Sequence, residues 1–118
     1  VPSFTKTDSG LYCVEIITGA RSVYLRLELQ GERTQLPQVR PLVPGGLYRS
    51  ADVETVRARV LEGTDEANRE FGTAFHPSVI RYAVEDFHAE CPMLRWAARA
   101  IVGRLAQLGE SGYVAPWG

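Results

Sequence analysis

The sequence predicts an α+β domain: a four-stranded sheet, in chain order β-β-β-α-β-α, with both helices packed on one face. Three observations carry this. In the first third of the chain one stretch is rich in β-branched and aromatic residues and the next alternates apolar and polar residues with a period of two, which marks strands. Two later stretches repeat apolar residues at spacings of three and four, which marks amphipathic helices. The length, 118 residues, suits one hydrophobic core and is too short for two good ones.

Leu11 to Thr18 is rich in β-branched and aromatic residues, and Gly19-Ala20 follows as a turn. Tyr12, Val14 and Ile16 fall on one side of this strand, and Leu11, Cys13 and Ile17 on the other. Apolar residues on both sides imply that the face without helices is not fully wet. A homodimer through that open face is the expectation. In the second strand Val23, Leu25, Leu27 and Leu29 alternate with Tyr24, Arg26 and Glu28, so one face is buried. A third strand is expected over Thr34 to Val43. Pro37 and Pro41 lack N–H donors, which suits an edge or a broken strand.

Pro44-Gly45-Gly46 breaks the chain before a helix expected over Ala51 to Phe71. Ser50 is its predicted cap, and Asp52 and Glu54 suit the positive end of the helix dipole. Val53, Val56, Val60, Thr64, Ala67 and Phe71 form its apolar stripe, and Gly72 is placed to end it. Gly63 sits inside the helix, where it costs about 1 kcal/mol relative to Ala. Its presence there predicts a close packing contact. A fourth strand is expected over Ser78 to Val84. The loop Glu85 to Cys91 leads to a second helix over Pro92 to Leu108, with Leu94, Ala97, Ala98, Ile101, Leu105 and Leu108 on its buried side. The whole of 1–118 reads as a single domain, with 1–10 and 110–118 as flexible or packing tails.

Composition narrows function by exclusion. Net charge is −1, which argues against broad electrostatic binding to nucleic acid but leaves room for a local patch. No apolar run is long enough to span a membrane. The two cysteines, Cys13 and Cys91, are too few for a disulfide framework and fit a reducing, cytoplasmic setting. The thirteen basic residues are twelve arginines and Lys6. Scattered as they are, genome bias explains them as well as planar recognition of phosphate or carboxylate does.

The loop Glu85-Asp86-Phe87-His88-Ala89-Glu90-Cys91 is the densest polar cluster. His88, Cys91 and a carboxylate, with His76, could ligate zinc, although the spacing matches no standard pattern. Cys91, near a helix N-terminus with His88 as base, could act as a nucleophile. The acids Glu85, Asp86 and Glu90 oppose this by disfavouring a thiolate. His88-Ala89-Glu90 lacks the later Pro-Cys-x-x-Cys of a zinc deaminase. Gly45-Gly46 with Arg49 could bind an anion at the helix start, but no nucleotide-binding phosphate loop is present. The second helix carries Arg95, Arg99 and Arg104 and no acid, while the second half of the first carries Glu62, Asp65, Glu66 and Glu70. Arg95 and Arg99 therefore form a phosphate- or acid-binding strip, or make a solvated face, or pair with the acidic first helix. Trp96 between them is half-buried core or an interface anchor.

Val43-Pro44-Gly45-Gly46, Gly63, Gly72, Phe75-His76-Pro77-Ser78-Val79 and the alanine-rich run Met93 to Gln107 together resemble domain IV of translation elongation factor G. The resemblance covers Val43 to Gln107, a little over half the chain, and rests on structural glycines and core positions. It implies a βαβ crossover of the left-handed kind and a connection with the ribosome. The GTPase domain of that family is missing here, and the acidic loop Glu85 to Cys91 departs from what an RNA-facing loop would carry. The reading that follows is a non-catalytic binding domain without a cofactor, associated with RNA or the ribosome. Its surface would comprise Arg95, Trp96, Arg99, His88, Cys91 and Arg49. The alternatives are a small enzyme or metal protein using His88 and Cys91, and a ligand-free homodimeric scaffold.

Overall fold

The computed structural model describes residues 3–7, 11–18, 21–30, 34–42, 52–85 and 92–113. The general α+β class holds, but the sheet has five strands rather than four. They are β1 (Ser3–Lys6), β2 (Leu11–Thr18), β3 (Arg21–Glu28), β4 (Gln38–Pro41) and β5 (Val79–Glu85). Helix α1 (Val53–Phe71) lies between β4 and β5. Helix α2 (Pro92–Leu108) follows β5 and runs into a 3₁₀ turn at Gly109–Gly112. The spatial order is β1-β2-β3-β5-β4. All neighbours are antiparallel except β4 and β5, which run parallel on either side of the α1 crossover.

The additional strand is β1, in a segment the sequence suggested was a tail. Ser-Phe-Thr-Lys contains one apolar residue, so no periodicity announces it. What makes it a strand is the free edge of β2, where Phe4 stands opposite Val14. The hairpin closes through Thr7 N–H to the Leu11 carbonyl, and the Leu11 N–H donates in turn to Thr7 Oγ1. β4 is shorter than the expected Thr34 to Val43 and lies at the other edge. Pro41 there needs no ladder donor on its outer side, as the prolines suggested.

Cross-strand register puts Val14, Leu25 and Tyr82 in one row and Leu27 beside Ile80 in the next. With Val23 they form a single buried core with Val56 and Val60 of α1 and Leu94, Ala97, Ala98 and Ile101 of α2. Burying a large side chain such as Leu94 or Ile101 contributes roughly 1.5–3 kcal/mol. On the opposite face Leu11 and Cys13 are also buried, so that face is partly dry, as the first strand implied.

Helix α1 begins two residues later than expected, and its cap is Asp52 rather than Ser50. The Asp52 carboxylate accepts from the Thr55 N–H at 3.2 Å, satisfying a free donor of the first turn. Ser50 lies outside the described residues. Gly72 ends α1 in the left-handed conformation, φ 69°, as expected of a glycine cap. Asn68, which sequence periodicity does not single out, shapes the exit. Its Nδ2 donates to the Phe75 carbonyl, and its Oδ1 accepts from Phe75 N–H and Thr73 Oγ1. That clasp turns the chain toward β5.

Gly63 is where the helices touch. A β-carbon there would lie 2.1 Å from the Arg95 carbonyl oxygen and 3.0 Å from Arg99 N. The close contact expected from a costly mid-helix glycine is therefore present, and it is made by backbone. The C-terminal segment packs as far as Tyr113. This ring meets Phe4 and Tyr12 edge-on, with centroids 5.8 and 5.0 Å away, and its hydroxyl donates to the Ile101 carbonyl. Among the described residues no helix is long and apolar enough to cross a membrane.

Candidate binding surfaces

Arg95, Trp96 and Arg99 all lie on the exposed side of α2. The glycine contact at Gly63 brings this side against the acidic half of α1. Arg95 Nη1 stands 3.7 Å from Glu66 Oε1, Arg99 Nη1 3.9 Å from Glu66 Oε2, and Arg99 Nη2 2.9 Å from Glu70 Oε2. Of the arrangements open to these arginines, pairing with the first helix is seen, on an exposed face. Exposed pairs of this kind add little stability, about 0–1 kcal/mol. They do balance the local charge that a phosphate would otherwise meet.

Trp96 is neither core nor half-buried, with 67% of its surface exposed. It borders an open groove of about 530 Å³ that is lined also by Phe4, Phe71, Gly103 and Arg104. Gly103 lets the Phe71 ring lie against α2, since a β-carbon there would sit 3.2 Å from Phe71 Cε2. Arg104 covers the Phe4 ring at 4.3 Å and donates from Nε to the Gly112 carbonyl.

His88, Cys91 and Arg49 lie outside the described residues, as does the rest of the loop 86–91. The zinc and nucleophile arrangements drawn from that loop fall there with them. His76, the further ligand considered, has its Nε2 3.0 Å from the Gln35 carbonyl oxygen. Among the described residues no group of three or more His, Cys, Asp or Glu side chains is placed to hold a metal ion. Cys13 is a buried free thiol whose pKa is raised by burial, against smaller lowering effects from a hydrogen bond with Thr5 and the charge of Arg26.

A further cluster lies on the sheet face turned away from the helices. Arg26 of β3 stands opposite Arg81 of β5, and Arg81 opposite Arg40 of β4. Three arginines thus form a row across three neighbouring strands, continued by Cys13 and Thr5. Arg26 donates from Nε and Nη2 to the Tyr24 hydroxyl at 3.2 and 2.9 Å, and its guanidinium lies 5.0 Å from the Tyr24 ring centre. Arg40 donates to Gln38 Oε1 at 2.9 Å. Arg81 Nε is buried with no hydrogen-bond partner. Among the described residues no carboxylate pairs with any of the three.

Period-two alternation already places two of these arginines outward: Arg26 lies between Leu25 and Leu27, and Arg81 between Ile80 and Tyr82. Their alignment was hidden because β5 inserts between β3 and β4, and no sequence neighbour signals that.

The chain matches no protein-family model, no curated protein and no solved structure.

Proposed function

We propose that the chain is a non-catalytic binding domain that associates with RNA, and that the contacting surface is the sheet face opposite the helices. One observation carries the reading: the Arg26, Arg81 and Arg40 row, which makes no ion pair with a carboxylate among the described residues. Like charges directly opposite one another weaken a sheet. Two such juxtapositions in succession oppose folding, and an anionic partner converts that cost into binding. Arginine suits phosphate because its planar fork makes paired, charge-assisted hydrogen bonds. A local cationic row also reconciles RNA binding with a net charge of −1. Arg95 and Arg99 of α2 are the weaker candidates, since Glu66 and Glu70 already balance them.

The resemblance of Val43 to Gln107 to domain IV of elongation factor G supports the ribosome as the setting for that RNA.

Co-sedimentation of the purified protein with ribosomes and with bare RNA, at low and at moderate salt, tests the proposal. Binding that weakens as salt rises is expected, because phosphate contacts release counterions. Absence of binding to either at low salt overturns it.

A further inference from the structure

We infer that the ligand of the arginine row is a single-stranded RNA segment whose backbone crosses the sheet diagonally, with successive phosphates engaged by Arg26, Arg81 and Arg40. This rests on the RNA-binding reading and adds the site's geometry and the type of strand it takes.

The direction in which each guanidinium is held points to an extended ligand rather than one phosphate. Neighbouring strands are ~4.8 Å apart, so the row spans roughly 10 Å from β3 to β4. Arg26 leans along its strand toward Tyr24, which stands opposite Ala83 of β5. Arg40 leans toward Gln38, which stands opposite Val79. Ala83 and Val79 lie on opposite sides of Arg81 along β5. The outer guanidiniums are therefore drawn toward opposite ends of the central strand, with Arg81 between them. One phosphate cannot meet all three in that arrangement, whereas a chain of phosphates crossing the sheet obliquely can.

The site is also held in place before any ligand arrives. Tyr24 and Gln38 are neutral, so they orient Arg26 and Arg40 without cancelling their charge. Arg81 has a buried donor with no acceptor, which gains one when its guanidinium turns onto an anion. Glu15, Glu28 and Glu85 also belong to this face by register, opposite Tyr24, Val79 and Ser22, yet no ion pair joins Glu15 or Glu28 to the row.

The strand type follows from depth. Arg26 and Arg81 are half-buried, so their charge sits near the level of the sheet. A flexible single strand can follow that twisted surface, but a rigid duplex meets it only at its rim. Tyr24, in the same patch, offers a ring for base stacking, which a duplex with its bases already stacked cannot use. An acidic peptide shares the charge but offers no bases to that ring.

The test is fluorescence anisotropy of the intact chain with a labelled uridine oligonucleotide over a salt series. An RNA duplex of equal length and polyglutamate are run alongside, with inorganic phosphate as competitor. Three phosphate contacts predict a slope of log K against log salt of about −2, or −0.7 for each contact. Arg81→Gln and Arg40→Gln should each reduce that slope by ~0.7 and weaken binding several-fold. Arg40 is exposed on an edge strand, so Arg40→Gln keeps its fold even if the half-buried Arg81 tolerates change poorly. Duplex and polyglutamate should bind much more weakly, and inorganic phosphate should compete poorly. Wild-type slopes in Arg40→Gln and in folded Arg81→Gln would place RNA elsewhere on the protein. Equal affinity for duplex or polyglutamate would overturn the single-stranded mode. No affinity for any RNA would overturn the RNA-binding reading itself.

Discussion

Replacing Gly63 with Ala should unsettle the whole helical layer. The added β-carbon would lie 2.1 Å from the Arg95 carbonyl oxygen, whereas ordinary contact begins at 3.4 Å. The obstructing atoms belong to the α2 backbone, so no side-chain rotation relieves them. The helices must part at their crossing, loosening the core that Val56 and Val60 share with Leu94, Ala97 and Ala98. Overpacking of this sort costs about 3 kcal/mol at the upper end of its usual range. Alanine recovers about 1 kcal/mol through its better helix propensity. The net loss is about 2 kcal/mol, which at ~4 °C per kcal/mol for a domain of this size lowers Tm by ~8 °C. Urea unfolding followed by circular dichroism gives the free energy, and a thermal melt gives the shift. Gly103→Ala is the contrast, because its β-carbon would meet only the Phe71 ring, at 3.2 Å. That ring can swing, so the change should stay within ~1 kcal/mol. A Gly63→Ala variant as stable as wild type, or more stable, would refute the backbone contact.

Asn68→Ala should cost about 1–3 kcal/mol in urea unfolding, because the Phe75 N–H and carbonyl both lose their side-chain partner. Tyr113 bears on alkaline stability: burial, the largest effect, raises its phenol pKa above the ordinary value of about 10. The folded protein therefore holds the proton longer than the unfolded chain does, so Tyr113 contributes its full stability below pH ~10 and loses it as pH rises through the folded value. Tyr113→Phe should reduce stability at neutral pH by about 1 kcal/mol, through loss of the bond to Ile101, and flatten the alkaline decline seen in pH-dependent unfolding. Cys13, buried and with a raised pKa, should react with a thiol reagent far more slowly in the folded protein than in urea. Alanine at Cys91 lets that rate be read for Cys13 alone, and fast labelling of the native chain would contradict its burial.

Local chemistry determined much of this protein before any long-range contact was known. Leu11 to Thr18 identifies a strand through its β-branched and aromatic residues, and the alternation from Val23 to Leu27 does so because side chains on a strand alternate between its faces. Gly72 ends α1 because a left-handed cap favours glycine. Gly63 announced a close approach because nothing local repays its cost inside a helix. The tertiary structure decided what depends on neighbours distant in the chain. Ser3–Lys6 is a strand only because β2 offers an edge, and Asp52 rather than Ser50 caps α1 because its carboxylate reaches Thr55. The charge pattern shows the same division. Periodicity alone turns Arg26 and Arg81 outward and leaves Arg40 on a proline-flanked edge, while Arg95 and Arg99 are acid-free on their own helix. Only the α1–α2 crossing gives Arg95 and Arg99 their carboxylates, and only the insertion of β5 between β3 and β4 aligns the other three, because electrostatic interaction depends on distance in space.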